Sequence, residues 1–402
     1  MRAPIRLALP WAVRTWIGLY VVTGIGAGLL SDLASASQNL MVFRAASLAL
    51  LQRAPLYERF SFDFDYYKYS PTFALAFVPM AVLPWHVAAV LWSAANFALA
   101  AWGMARFVRT VWAHEEPAHQ DRRASRFLAL AWPGIVLTTD GDQSNLLVAG
   151  SCLLASALYL ERKNGRAAPW LAFAILVKLC PAALGAFALV GRGRMRAVAW
   201  LSACTMLLVV APAAVVGPGR LLAYYREWQA LLAGEPAHAS TKHWSVMHAL
   251  SDLGVHVGSV SVQILAGAVF LGAAVGYVYF ANKALAQPAR RLLAVWFVIA
   301  TLGFVLLFNH RSESPTYVLS AIAAAALLLT TDRPRAWHWL LYAAVILAPS
   351  PLYSDTQGGS LGALAAKRLF HPLRLVPLSV LWLLATWQLV SPRKRPAAGL
   401  PL

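Results

Sequence analysis

Apolar blocks recur from Trp16 to Val390, too many for one soluble core to bury. With 60% hydrophobic and 12% charged residues, the sequence is that of an integral membrane protein. Spans built from such blocks are helices, so the expected class is an all-α polytopic membrane protein. The apolar segments run over about 13–31, 71–84, 86–106, 127–139, 144–160, 167–190, 196–216, 260–281, 291–308, 315–330, 336–350 and 373–390. They predict a bundle of about 11–13 transmembrane or re-entrant helices in one domain over 1–402. Several segments are too short for a simple span. "LALAWPGIVLTTDGDQSNLL" and "LAFAILVKLCPAALGAFALV" are helices interrupted by proline, glycine and polar residues. Such breaks are tolerated at membrane depth only where the backbone faces protein or a wet cavity, so they point to a site.

The chain carries 34 Lys+Arg against 16 Asp+Glu, a formal charge of +18. Much of that excess lies in short loops between spans, which fits positive-inside topology and anionic lipid headgroups and gives no reason to invoke nucleic acid. "GRGRMR" (191–196), "ARR" (289–291), "DRPR" (332–335) and "SPRKRP" (391–396) form the cytoplasmic set. The outer segments are then a first loop over 31–70, a second over 217–259, a short one at 309–314, and 350–372. One inconsistency follows: if 71–84 and 86–106 both cross, the basic stretch 107–126 falls outside, so one short segment is expected to be re-entrant. At the N-terminus, Arg2, Arg6 and Arg14 precede an apolar run long enough to approach a span, which favours a first transmembrane helix over a cleaved signal peptide. Cys152, Cys180 and Cys204 lack zinc spacing and fall in or beside apolar blocks, as small core residues do.

Two outer stretches have apolar residues at helical spacing. "QNLMVFRAASLALLQRAPL" (38–56) and "GRLLAYYREWQALLAG" (219–234) predict amphipathic helices lying on the membrane surface, a roof for a lipid-linked substrate.

An ordered set of short motifs then carries a resemblance. A first span, "NLMVFRAASLALL", "PLY" (55–57), "YKYSPTFALAFVPMAVLP" (67–84), "DQSNLLVAG" (142–150) and "VKLCPAAL" (177–184) together resemble glycosyltransferase family 87. The resemblance implies the GT-C fold and transfer of mannose from a polyprenyl-phosphate donor. Tyr69, Ser70 and Pro71 match the family's aromatic-proline turn, Asp142, Gln143, Ser144 and Asn145 its Gly-Gln-x-Asn, and Lys178 and Pro181 its Lys-x-x-Pro. One position departs. Where family members carry an aspartate that looks like the catalytic base, this chain has Asn39, whose amide could orient an acceptor hydroxyl but not take its proton.

Inverting transfer from a polyprenyl phosphate needs a base at the acceptor hydroxyl, donors or cations on the leaving phosphate, and exclusion of water. No nucleotide-sugar metal site and no cofactor is required. Outer carboxylates that could serve as base are Asp65, Glu313, Asp63 and Asp32, with Asp65 first because it precedes an aromatic-rich helix start; the alternative for Asp63 and Asp65 is a solvated, helix-capping loop. Lys178 is the chief phosphate candidate, since a lysine inside an apolar run is costly; the alternative is snorkelling beside the Pro181 break. Lys68 and Arg311 are further phosphate candidates, and Arg220 and Arg226 weaker ones. His310, Arg311 and Glu313 in "FNHRSESPTY" form a compact polar hairpin between two spans, able to hold a sugar hydroxyl, a phosphate or the acceptor. His310, Gln143, Asn145, Tyr69 and Tyr57 complete the substrate-binding set. Aromatics at 57–69 and 224–228 suit sugar rings and isoprenoid tails. His243 and His248, five residues apart, lack a zinc-helix spacing; Lys242 and Trp244 are placed in an acceptor groove.

The expected activity is therefore a plasma-membrane glycosyltransferase working on the outer face, with a polyprenyl-phosphate sugar donor, a lipid- or glycan-linked acceptor, and membrane lipids as partners. The rival is a non-catalytic lipid-linked-saccharide transporter or scaffold, which should show two related halves; none is visible.

Overall fold

The computed structural model describes residues 10–33, 38–58, 66–138, 143–234, 245–255, 258–283, 287–309, 312, 314–349 and 361–391. Among these the chain is helical, with no strand. In order the α-helices are α1 (Trp11–Leu33), α2 (Gln38–Leu51), α3 (Pro71–Ala81), α4 (Trp85–Val111), α5 (Pro117–Thr138), α6 (Asn145–Leu160), α7 (Asn164–Val177) and α8 (Arg194–Val210). Then follow α9 (Ala213–Val216), α10 (Pro218–Gly234), α11 (Val246–Asp252), α12 (Ser259–Asn282), α13 (Gln287–Phe308), α14 (Val318–Leu329), α15 (Ala336–Leu347) and α16 (Leu361–Val390). Six helical segments among the described residues are long and apolar enough to cross a membrane. The protein is thus an all-α polytopic membrane protein. Leu207, Ile264 and Leu340 stay exposed on its flanks, where lipid covers them at no cost.

Close backbone approach fixes the direction of the first spans. Gly24 of α1 lies against Ser93 and Ala94 of α4, and Gly28 against Ala89 and Val90, so the two helices run antiparallel. A Cβ on either glycine would come within 2.9 Å of the α4 backbone or closer. Asn96 Oδ1 of α4 accepts from the Leu147 amide, and Gly103 faces Gly150, so α4 and α6 run parallel. Helix α3 has 11 residues, about 16 Å at 1.5 Å per residue, half the hydrocarbon thickness. It does not cross, and the inconsistency over 107–126 disappears. That stretch is hardly a loop: it is the end of α4, a short turn, and the first turns of α5.

The basic turns consequently gather at one end of the bundle. Arg123 of α5 donates to Glu115 at 2.8 Å and to Asp332, before α15, at 2.5 Å. Glu161, after α6, accepts from Arg106 and Thr110 of α4 and from Lys163. Asn282, closing α12, accepts from the Gly191 amide at 2.6 Å and donates to the Leu189 carbonyl.

The expected amphipathic helix 38–56 forms as α2, but protein covers its apolar face. Leu40, Val42, Phe43 and Leu50 are buried, and Ser47 donates to the Ala74 carbonyl of α3 at 2.8 Å. The interruption expected within 167–190 falls at Lys178. Lys178 takes an extended conformation (φ −141, ψ 132) after α7, and a 3-10 helix, Cys180–Leu189, follows. Pro181, lacking an N–H, cannot continue the α-helical ladder there.

Candidate active site

At the end of the bundle opposite the basic turns, a polar cluster sits where α6 begins. Lys178 Nζ donates to Asn145 Oδ1 at 2.5 Å, and Asn145 Nδ2 donates to Gln143 Oε1 at 2.9 Å. The break after α7 is what delivers the lysine: extended backbone at Lys178 turns its side chain from α7 toward the first turn of α6. Asn145 and Ser144 are buried, and the Ser144 hydroxyl has no hydrogen-bond partner in the described structure. Ser144 precedes α6 without capping it through its side chain; Asn96 takes the Leu147 amide instead, and the positive end of the helix dipole lies here. A lysine, a buried hydroxyl and a helix N-terminus together suit an anionic group. Among the described residues no group of three His, Cys, Asp or Glu side chains is placed to hold a metal ion.

Beside this cluster stands an aromatic wall. Ser70 caps α3 by accepting from the Phe73 amide at 3.3 Å, and Pro71 occupies the first helical turn, where its missing N–H costs nothing. Tyr69 rests on Phe73 and Phe43, with ring centroids 5.0 Å apart in both pairs. Phe43, Phe73 and Phe77 all reach Trp92 of α4. Tyr57 donates to the Tyr69 carbonyl at 2.9 Å and Tyr67 to the Ser70 carbonyl at 2.8 Å. Their hydroxyls therefore brace the wall. Burial pushes both phenols well above their ordinary range, and neighbouring tyrosines add to it, so they remain protonated donors.

Helix α10 closes the wall from outside. Tyr224 donates to the Ala54 carbonyl at 2.6 Å, Trp228 to the Lys68 carbonyl at 2.9 Å, and Tyr225 lies 3.3 Å from the Thr72 hydroxyl. Arg53, at φ 56 after α2, donates to the Val215 carbonyl at 3.2 Å and ties α9 to the same end.

Wall and polar cluster form one region because α4 links them. Trp92 belongs to the wall, and Asn96, one turn on, donates to the Trp92 carbonyl while accepting from Leu147 of α6. Lys178, Asn145, Gln143, Tyr69 and Tyr57 are thus gathered at one end, with Lys68 supplying its carbonyl there. Asn39, in the first turn of α2, lies on the helix whose Phe43 joins the wall. Asp63, Asp65, Asp142, His310, Arg311 and Glu313 lie outside the described residues, as do Lys242, His243 and Trp244 and the Asp32 side chain. Trp92, Asn96 and Ser144 belong to the site although the sequence did not single them out. An asparagine inside "WSAANFALAAW" is a usable signal, because a buried amide in a span must be satisfied by another chain segment.

No curated protein matches the chain significantly. The sequence model described as Glycosyltransferase family 87 matches residues 67–309, which begin at Tyr67 of the wall and take in Asn96, the whole α6 cluster and Lys178. Because this match covers more than half of the 402 residues, the chain belongs to glycosyltransferase family 87 and is a membrane glycosyltransferase.

Proposed function

We propose that this glycosyltransferase moves a hexose, mannose by family resemblance, from a polyprenyl-phosphate donor to a lipid- or glycan-linked acceptor at the outer face of the plasma membrane. One observation carries the reading: Lys178, fixed on Asn145, meets the N-terminus of α6 and the unpartnered Ser144 hydroxyl in a buried corner beside an aromatic wall. That corner suits the donor phosphate, and the wall suits the sugar and the isoprenoid chain. The basic turns lie at the other end, so the positive-inside rule puts the corner outside, between a first outer segment at 31–70 and a second at 217–259. The GT-C fold follows from the same family resemblance.

In the proposed reaction a carboxylate takes the acceptor hydroxyl proton as that oxygen bonds to the anomeric carbon. The bond from that carbon to the phosphate oxygen breaks, and its electron pair leaves on the polyprenyl phosphate. Asp65 is the first base candidate, since it immediately precedes Tyr66 and the wall; Glu313 and Asp63 follow. Arg311 and Lys68 assist the phosphate, and His310 the sugar or acceptor. Asn39, an amide, orients the acceptor without accepting its proton.

The test is to incubate purified protein with a series of polyprenyl-phosphate sugars and candidate acceptors, then repeat with Asp65→Asn, Glu313→Gln and Asn39→Asp. Transfer from a polyprenyl-phosphate hexose that collapses in one carboxylate variant is the expected result. No transfer from any such donor would sink the donor assignment. Unaltered turnover in both carboxylate variants would remove Asp65 and Glu313 as bases and leave the donor assignment standing.

A further inference from the structure

The basic end holds a feature that sugar transfer does not use. Where α6, the 3-10 helix Cys180–Leu189 and the first turn of α13 meet, a cleft of about 480 Å³, counting the part open to solvent, is lined by Tyr159, Arg162, Phe187, Gln287, Arg290 and Arg291 among others. Three arginines line it, and no carboxylate is among its described lining residues. Glu161 acts on Arg291 through space, yet it is already engaged by Arg106, Thr110 and Lys163. With Glu161 shared in this way, three arginines around one cleft leave an excess of positive charge that a bound anion would offset.

Two further observations point to a ligand. Tyr159 is 6% exposed and its hydroxyl has no hydrogen-bond partner, and the Arg290 Nε is likewise buried and unpartnered. A buried donor without a partner is costly, and both residues line the cleft. Arg162 stands at φ 60 just past the end of α6, where its own amide bonds back to the Tyr159 carbonyl and the Lys163 amide to the Leu158 carbonyl. Glycine is the usual residue at that left-handed position, because any Cβ there crowds the backbone carbonyl.

We propose that this cleft is a phosphate site, in which Arg162, Arg290 and Arg291 form charge-assisted hydrogen bonds to a phosphate group and the Tyr159 hydroxyl donates one more. The phosphate comes either from the headgroup of an anionic membrane lipid or from the free ion; basic pockets between transmembrane helices take such headgroups.

The test uses the full chain purified in neutral detergent. Thermal unfolding is followed on adding phosphatidylglycerol, phosphatidylcholine, or inorganic phosphate against chloride at equal ionic strength. Phosphatidylglycerol should raise the midpoint by about 3 °C or more, with phosphatidylcholine inert. Arg162→Gly, which relieves the strained turn, should unfold at the same temperature or higher without lipid, yet need about tenfold more phosphatidylglycerol for the same shift. Arg290→Gln with Arg291→Gln should lose most of the shift. If inorganic phosphate reproduces the effect and both variants lose it, the free ion is the ligand and the site stands. If neither anion stabilises the protein, or both variants respond as the parent does, the site is overturned.

Discussion

The two ends of this bundle handle charge in opposite ways. At the basic end, outside the arginine-lined cleft, carboxylates clamp the cations: Arg123 bridges Glu115 and Asp332, and Glu161 gathers Arg106 and Lys163. At the other end Lys178 is held on a side-chain amide, within a setting of hydroxyls, amides and aromatic rings. Ion pairs between these cations and carboxylates lock one turn to the next across the bundle. An asparagine that accepts from the lysine fixes the direction of its ammonium group, as recognition of an incoming phosphate requires. Helix burial shows a matching contrast: the central window of Gln287–Phe308 is 78% buried and that of Arg194–Val216 only 6%. The first is a core post and the second a lipid-facing stave.

This contrast can be broken at each end. Lys178→Ala should lower transfer by about 10²–10³-fold, the loss typical of removing a transition-state charge partner, with little change in thermal midpoint. Near-parental turnover would reduce the cluster to a structural network. Next in size, Gly150→Ala places a Cβ 2.5 Å from the Leu99 carbonyl oxygen of α4. Prying α4 from α6 should destabilise by about 1–3 kcal/mol in a denaturant titration and lower activity too, because α6 carries Asn145. Glu161→Gln, whose native side chain is 19% exposed, should cost about 1–2 kcal/mol with catalysis of the folded protein unchanged.

The same carboxylate fixes a pH signature. Burial pushes the Glu161 carboxyl up, but hydrogen bonds from Lys163 and Thr110 and the Arg106 charge outweigh it and hold the group below its ordinary range. A depressed folded-state pKa stabilises above the unfolded value, about 4.3, and that gain is lost as pH falls through the folded value. The stability gap between parent and Glu161→Gln should therefore be full at pH 7 and close in that acid window; a gap that widens on acidification would contradict the assignment. The smallest effect belongs to Ser144→Ala. Losing a buried hydroxyl with no protein partner should leave stability unchanged or slightly higher, while the KM for the donor rises about threefold to tenfold through one lost hydrogen bond.

The motifs in the sequence were legible because each has a local cause. Ser70-Pro71 reads as a helix start and forms one; Pro181 reads as a break, and the chain leaves α-helix at Lys178. Lys178 stood out because an ammonium inside an apolar run needs a reason. Its partner was not readable, since Asn145 lies 33 positions away and only the fold of α7 back along α6 joins them. Trp92 escaped for the same reason, since its role comes from contacts with α2 and α3; Asn96 signals that some segment must satisfy its amide, but not that the segment is α6. The amphipathic stripe of α2 was visible, but whether lipid or protein covers it is a property of its neighbours.

By itself the sequence determined the membrane class, the helical composition and the motifs of the family, because burial in lipid and the needs of backbone hydrogen bonding act on each segment separately. Tertiary structure decided which segments cross. Helix α3 stops halfway, and α4 returns antiparallel to α1 in a close approach that Gly24 and Gly28 allow. It also decided that Lys178, Asn145 and the aromatic wall share one end while the arginines share the other. Direction and proximity arise from close contact between helices far apart in the chain, and that information is not held by any one of them.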